Sequence, residues 1–262
     1  MSEYGYYDSY EDQRKQEAAF SLAKVFGYMF AGLLITVIVM FGLALLFHYL
    51  FPEVVTDAFY SAPSEGEESA NTLTSNAGIF LLVILIVSFI GLIAMSATVN
   101  LVMARGKHSI LVPAIIYSVL MGVALSTVAI FFPWYLLGVT FGITCIVFGM
   151  MSVIALLSKG KLNGLAMVGI GLVIGGSLLG LLLWVLSLFM TIGYLFYIVS
   201  FAVFAGMMLI TIWDIARIKN IAQQGEMSNN LSLYCAYILY VDFIYLFIRL
   251  LRWIIIIAAR SR

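Results

Sequence analysis

Long apolar runs, separated by short polar segments, follow one another along the chain from residue 25 onward. Each run is longer than the roughly 20 residues that an α-helix needs to cross the hydrocarbon core of a bilayer. The separators contain glycine, proline and charged residues, which are typical of turns between helices. Seven runs are present, the last of them less apolar, at 25–51, 77–104, 110–132, 134–157, 163–189, 193–216 and 233–258. The pattern predicts an all-α, polytopic membrane protein with seven transmembrane helices.

The composition agrees with this pattern. Hydrophobic residues make up 64% and charged residues 10% of the 262 residues, and the mean hydropathy is +1.11. These values exclude a soluble globular domain. The formal net charge is +0, and we expect the lipid bilayer, and not nucleic acid, as a partner. The two cysteines, Cys145 and Cys235, fall at different predicted depths, so no disulfide is expected.

Lysine and arginine residues occur in every second loop, and positive charge marks the cytoplasmic side of a membrane protein. These residues are Arg14, Lys15 and Lys24, then Arg105 with Lys107, Lys159 with Lys161, and Arg217 with Lys219. The rule places the N-terminal tail at 1–24 in the cytoplasm and the acidic loop at 52–76, within the transmembrane domain at 25–259, outside. The tail is acidic and tyrosine-rich, and its polar, charged composition predicts that it is disordered. Seven crossings would put Arg260 and Arg262 outside. The length of the last run favours a full crossing, with a re-entrant segment as the alternative.

Two aspartates lie in strongly apolar surroundings near the C-terminus. An ionisable side chain at membrane depth costs roughly 2.5 to 3.5 kcal/mol on insertion scales and usually marks a pathway or a paired site. Asp214 and Asp242 are 28 residues apart (242 − 214), and their midpoint is Ser228, inside the polar segment 223–230 that is predicted to form a turn. Residues equidistant from the turn of an antiparallel helix pair lie at the same height. The sequence therefore predicts two carboxylates at matched depth.

If these carboxylates face each other, they cannot both ionise readily in a poorly hydrated site, and the pair is expected to act as a proton sensor. A deprotonated pair would attract a hard cation such as calcium, which prefers carboxylate oxygens. The alternative is purely structural: Asp214 would bond to Arg217 one turn further on, and Asp242 would pair with Arg249.

The last run carries a polar stripe, because Asp242, Tyr245, Arg249 and Arg252 recur at spacings of three, four and three and so share one helix face. A charged face is not expected to contact lipid, which predicts that the last helix is central in the bundle. Arg249 would then lie near the membrane centre and need an acceptor, for which Asp242 is nearest in sequence.

Glycines recur with small-xxx-small spacing in the fifth run, at Gly171 with Gly175 and Gly176 with Gly180. Such spacing allows close helix packing inside the bundle, with a dimer interface as the alternative. No enzyme is expected, since His48 and His108 are predicted on opposite sides of the membrane and no Gly-x-Ser-x-Gly motif occurs. An aspartyl dyad for intramembrane proteolysis is a formal alternative, although the aspartates are predicted to be too shallow for it. No cofactor is expected.

The segment Asp-Phe-Ile-Tyr-Leu-Phe-Ile-Arg-Leu-Leu-Arg at 242–252 resembles the terminal signature of the Bax inhibitor-1 family. Trp213-Asp214 is similar to a Tyr-Asp pair of that family. Weaker similarity lies at Gly122 to Ser126 and at Phe141 to Thr144, followed by Phe148 and Ser152. The resemblance covers roughly residues 20–256.

This resemblance implies a seven-helix fold with a central last helix and a pH-sensitive calcium leak channel gated by Asp214 and Asp242. It also implies an arginine counter-ion at the inner end of the second helix, for which Arg105 is the nearest candidate. Arg249, on the polar stripe of the last run, is a second candidate that does not depend on the resemblance. Calcium, as the permeant ion, would contact Asp214 and Asp242. The expected location is the inner membrane of a bacterium, with the N-terminus in the cytoplasm. The alternatives are a regulator of another membrane protein, such as a protease, without transport activity, and a solute transporter.

Overall fold

A computed structural model of the chain describes residues 3–50, 76–105, 109–158, 162–187, 193–225 and 227–260. Within these ranges the chain forms seven α-helices, so the all-α class and the number of helices are confirmed. The helices are α1 (Glu3–Leu50), α2 (Asn76–Arg105), α3 (Leu111–Phe131), α4 (Trp134–Leu157), α5 (Asn163–Leu186), α6 (Gly193–Gln223) and α7 (Asn229–Arg260).

Six of the helices, α1 to α6, contain segments long and apolar enough to cross a membrane. The protein is therefore an integral, multi-pass membrane protein. Helix α7 is not among the six, and it carries the charged residues Asp242, Arg249 and Arg252. Its 32 residues nevertheless form one unbroken helix. The seventh crossing and the central position of α7 stay predictions.

The first helix is longer than expected. Residues 1–24 were predicted to be disordered, but α1 begins at Glu3 and continues without a break into the first apolar run. No proline occurs before Pro52, and an established helix extends at the cost of ordering only one residue per added hydrogen bond. The predicted acidic outer loop at 52–76 lies, except for Asn76, outside the described residues.

The chain divides into two compact units, which are described separately below. The aspartate unit comprises Met1–Ala23, Thr140–Met227 and Ile238–Arg262, and the tyrosine unit comprises Lys24–Val139 and Ser228–Tyr237. Each unit contains one of the two cysteines: Cys145, half-buried, lies in the aspartate unit, and Cys235, buried, lies in the tyrosine unit.

In the aspartate unit, α5 and α6 cross at close range. A Cβ atom added to Gly169 would lie 2.9 Å from the carbonyl oxygen of Gly206, and one added to Gly176 would clash with Val203 Cγ2. Only residues without a side chain allow this approach. The predicted close packing is therefore confirmed for Gly176, whereas Gly171 and Gly175 have no atom within 4 Å of an added Cβ.

The tyrosine unit contains a comparable approach between α1 and α3. A Cβ on Gly122 would lie 2.8 Å from the carbonyl oxygen of Thr36. The Thr36 hydroxyl lies 3.1 Å from the Ser118 carbonyl oxygen on α3 and 3.0 Å from the Gly32 carbonyl oxygen on α1 itself. Close backbones, and a hydroxyl that can donate to a carbonyl oxygen of either helix, thus join α1 and α3.

Candidate functional site

The turn predicted between the two aspartates is confirmed. Helix α6 ends at Gln223 and α7 begins at Asn229, so Ser228, the midpoint of the two aspartates, lies between them. Gly225 in this turn has a φ of 76°, a left-handed conformation that glycine adopts without steric cost. The Ser228 hydroxyl accepts a hydrogen bond from the Leu231 N–H at 3.2 Å, which satisfies one free donor at the start of α7.

Contacts between α6 and α7 show that the two helices are antiparallel. The rings of Phe201 and Trp253 lie 6.1 Å apart, and these residues are 27 (228 − 201) and 25 (253 − 228) positions from Ser228. The Thr211 hydroxyl hydrogen-bonds to the Asp242 carboxyl group, at 17 (228 − 211) and 14 (242 − 228) positions from Ser228. Equal separations from a turn mean equal heights. The two helices therefore hold Asp214 and Asp242 at similar depth.

Both predicted carboxyl groups are buried in the aspartate unit. Asp214 is 9% exposed and Asp242 is 6% exposed. The two groups are close enough to interact electrostatically. The Oδ2 atom of Asp242 is fully enclosed and has no hydrogen-bond partner among the described residues. An enclosed polar atom without a partner is uncommon in proteins and marks a strained or functional position. That the pair shares a proton stays a prediction.

The residue that follows Asp242 in the chain packs against aromatic rings of α4. The neighbouring side chain, Phe243, packs edge-on against Phe141 at 5.6 Å and Phe148 at 5.5 Å, both on α4. Phe243 itself is 2% exposed. These rings form an apolar contact between α4 and the part of α7 that carries Asp242.

The cationic end of α6 lies next to Asp214. Arg217 is exposed, stacks at 5.4 Å over the ring of Trp213 and interacts electrostatically with Asp214. Arg217 therefore acts on Asp214 through its charge, and the bonded pair of the structural alternative stays a prediction. Lys219 donates to the carbonyl oxygens of Leu156 at 2.6 Å and Ser158 at 3.0 Å. These are free carbonyls at the C-terminal end of α4, where a cation is favourable.

The two candidate counter-ions have different surroundings. Arg249 is half-buried and donates to the hydroxyls of Ser200 and Tyr245, both at 3.1 Å. The acceptor expected from sequence was Asp242, the nearest acidic residue, and not these hydroxyls. Arg105 is exposed at the end of α2 and belongs to the tyrosine unit. The role of either arginine as a counter-ion to the aspartates stays a prediction.

A cluster of hydroxyl groups occupies the tyrosine unit, and the sequence did not reveal it. The rings of Tyr117 and Tyr237 meet edge-on at 5.1 Å, and the Tyr237 side chain hydrogen-bonds to Tyr117 and Ser96. One turn earlier on α7, the Tyr234 hydroxyl lies 3.0 Å from Asn100 Oδ1. These bonds join α2, α3 and the start of α7, so neutral polar groups in this unit satisfy one another.

The likeness of the C-terminal segment to a known family extends along almost the whole chain. A family profile described as "Inhibitor of apoptosis-promoting Bax1" matches residues 19–260. This chain belongs to the Bax inhibitor-1 family. The match takes in helices of both units, and the signature segment 242–252 lies on α7.

Relatives of this Bax inhibitor-1 family member occur in bacteria. An "Uncharacterized protein" of Borreliella burgdorferi is 28% identical over 248 residues, which cover 92% of this chain and 95% of the relative. The "Inner membrane protein YbhL" of Escherichia coli K12 is 30% identical over 240 residues, which cover 88% of this chain and 89% of the relative. No solved structure matches the chain.

Proposed function

We propose that this Bax inhibitor-1 family protein is a pH-sensitive calcium leak channel whose gate is the pair of carboxyl groups of Asp214 and Asp242. The observation that carries the proposal is the burial of both groups in one unit, where they interact electrostatically. A buried pair of acids at membrane depth is costly. Such a pair responds to pH over a range set by its own geometry, which suits a proton-controlled gate.

The gate depends on the charge of the pair. When the pair holds a proton, a neutral acid and one carboxylate can remain close together in a poorly hydrated space. When the proton leaves, two negative charges repel each other, and water or a cation must enter to compensate. In this proposal, loss of the proton opens the pathway, and protonation closes it.

Calcium is the cation that we expect the deprotonated pair to attract. Calcium binds carboxylate and hydroxyl oxygens but takes about six to eight of them in a resident site. Asp214, Asp242 and Thr211 supply fewer, and the described residues contain no group of three or more side chains of His, Cys, Asp or Glu that could hold a metal. We therefore propose a transient contact with a passing ion, with Arg249 as the counter-ion within the aspartate unit and no enzymatic step.

We also propose which side of the membrane each end of the helices faces and which membrane holds the protein. The N-terminus and the turn between α6 and α7 lie in the cytoplasm, since Arg217 and Lys219 then obey the positive-inside rule, and α7 crosses the membrane as a seventh helix. YbhL is an inner membrane protein, which supports the same membrane for this chain. The pair would then respond to cytoplasmic pH.

Calcium flux into liposomes that hold the purified protein tests the proposal. Flux is expected to rise as the pH increases, and Asp214→Asn and Asp242→Asn are each expected to remove most of this response, because an amide cannot titrate. Glu226→Gln is the matched control, since it removes the acidic residue that lies between Asp214 and Asp242 in the sequence and should leave the response intact. Flux equal to that of empty liposomes, or an unchanged pH response in both aspartate variants, would overturn the proposal. Co-purification with a membrane protease, without flux, would favour a regulator.

A further inference from the structure

A single hydroxyl group is placed between the Asp242 carboxyl group and the backbone of α6. Thr211 is 0% exposed and lies almost one turn before Asp214. Its Oγ1 atom is 2.9 Å from the carbonyl oxygen of Met207, and the same side chain hydrogen-bonds to Asp242. A threonine hydroxyl has one proton and two lone pairs, so it can donate to only one of these two groups at a time.

The charge of Asp242 decides which group receives that proton. A carboxylate can only accept, so an ionised Asp242 requires the Thr211 hydroxyl as donor. A neutral Asp242 can donate its own proton to Thr211 Oγ1, and the threonine proton is then free for the Met207 carbonyl. Both arrangements are hydrogen-bonded, but in opposite directions.

We infer that Thr211 is a positioning residue that reverses its hydrogen bond with the protonation of Asp242 and thereby reports that protonation to the backbone of α6. The inference deepens the proposed function and rests on it for the link to ion flow. The enclosed Oδ2 atom of Asp242, which has no partner among the described residues, supports it. With so few donors at this carboxyl group, the Thr211 hydroxyl carries a large share of the stabilisation of the charge.

The structure also indicates where the reversal would act. A threonine hydroxyl bonded to the carbonyl four residues earlier competes with the backbone hydrogen bond there and bends a helix slightly. The carbonyl in question belongs to Met207, next to Gly206, whose added Cβ would lie 3.0 Å from the Gly169 carbonyl oxygen. A small change in the bend of α6 would therefore alter the close contact between Gly206 on α6 and Gly169 on α5.

Other ionisable groups near Asp242 in the aspartate unit act on different atoms. On α6 these are Asp214 and, beside it, Arg217. On α7 they are Tyr245 and Arg249, and the Arg249 guanidinium donates to the hydroxyls of Tyr245 and Ser200. Helix α4 presents Phe141 and Phe148 to Phe243, with the half-buried thiol of Cys145 on the same stripe of that helix.

Infrared titration of the purified full-length protein in lipid nanodiscs tests the inference without ion flux. The carbonyl stretch of protonated Asp242, assigned by its absence in Asp242→Asn, is followed from acidic to alkaline pH. Thr211→Val keeps the shape of the side chain but lacks the donor, so the band should persist to a pH about 1 to 2 units higher. Thr211→Ser keeps the hydroxyl and should titrate as the wild type does.

Thr144→Val is the matched control. Thr144 is also 0% exposed, and its hydroxyl lies 2.8 Å from the carbonyl oxygen of Thr140 on its own helix. This variant should not move the titration of Asp242. An equal midpoint in Thr211→Val and the wild type, equal shifts in Thr211→Val and Thr211→Ser, or no band that depends on Asp242 would overturn the inference. A midpoint that depends on Thr211, in protein that passes no calcium, would support the inference and overturn the calcium leak.

Discussion

The two units treat buried polar groups in opposite ways. In the tyrosine unit, Tyr237 bonds to Ser96 and Tyr117, and Tyr234 bonds to Asn100. In the aspartate unit, two acids are buried together and the Oδ2 atom of Asp242 lacks a partner among the described residues. Hydrogen bonds between neutral groups join helices at low cost in a membrane, whereas buried charge is costly wherever it lies.

This difference separates polar groups that stabilise the helix packing from polar groups whose protonation changes with pH. A satisfied neutral network has no reason to change its protonation near neutral pH, so it holds helices together under all conditions. An under-satisfied pair of acids gains or loses a proton with a small change in its surroundings. We therefore expect substitutions in the two units to have effects of opposite sign on stability.

The largest effect is expected for Asp242→Asn at alkaline pH, where the carboxyl group is ionised. The amide has a similar shape and no charge to bury, so the free energy of unfolding should rise by about 2 to 3 kcal/mol. Thermal unfolding in detergent, repeated at several pH values, measures this gain, which should shrink at acidic pH because a neutral acid has no charge to bury. Glu226→Gln should not reproduce it. A loss of stability in Asp242→Asn at alkaline pH would show that the carboxylate is as well satisfied as the tyrosines.

A smaller effect of the opposite sign is expected for Tyr237→Phe. Loss of the hydroxyl leaves Ser96 and Tyr117 without this partner, and the free energy of unfolding should fall by about 1 kcal/mol at every pH. Tyr135→Phe is the control, since Tyr135 is 64% exposed. The same unfolding measurement applies, together with calcium flux, whose pH response should not change. A changed pH response would mean that the hydroxyl cluster takes part in gating, and the contrast between the units would fail.

The sequence predicted the features that depend on local pattern. The seven helices follow from the lengths of the apolar runs, and the turn between α6 and α7 follows from the polar segment around Ser228. The similar depth of Asp214 and Asp242 follows from that turn alone, because helix geometry fixes the rise per residue. Each of these features needs only neighbouring residues.

The remaining features depend on how helices rotate and which faces meet. Spacing selected Gly176, which does pack closely, but also Gly171 and Gly175, which do not. It missed the approach of Gly169 to Gly206, because spacing does not determine the face that a neighbour covers. Thr211 gave no signal either, since a single threonine within an apolar run is common in membrane helices. Its role follows from Asp242, which lies 31 residues away (242 − 211) on another helix.

The smallest effect is expected for Arg217→Gln, and it decides between the two interpretations of Asp214. If Asp214 is only an interfacial partner of Arg217, loss of the guanidinium should alter stability and the pH response as strongly as Asp214→Asn does. Arg217 is exposed and already stacks on Trp213, and exposed ion pairs contribute at most about 1 kcal/mol. We therefore expect the pH response of calcium flux to be retained with its midpoint moved by only a few tenths of a pH unit. A response lost in Arg217→Gln would show that Asp214 acts through its pair with Arg217 and would overturn its proposed role as one of two acids that share a proton.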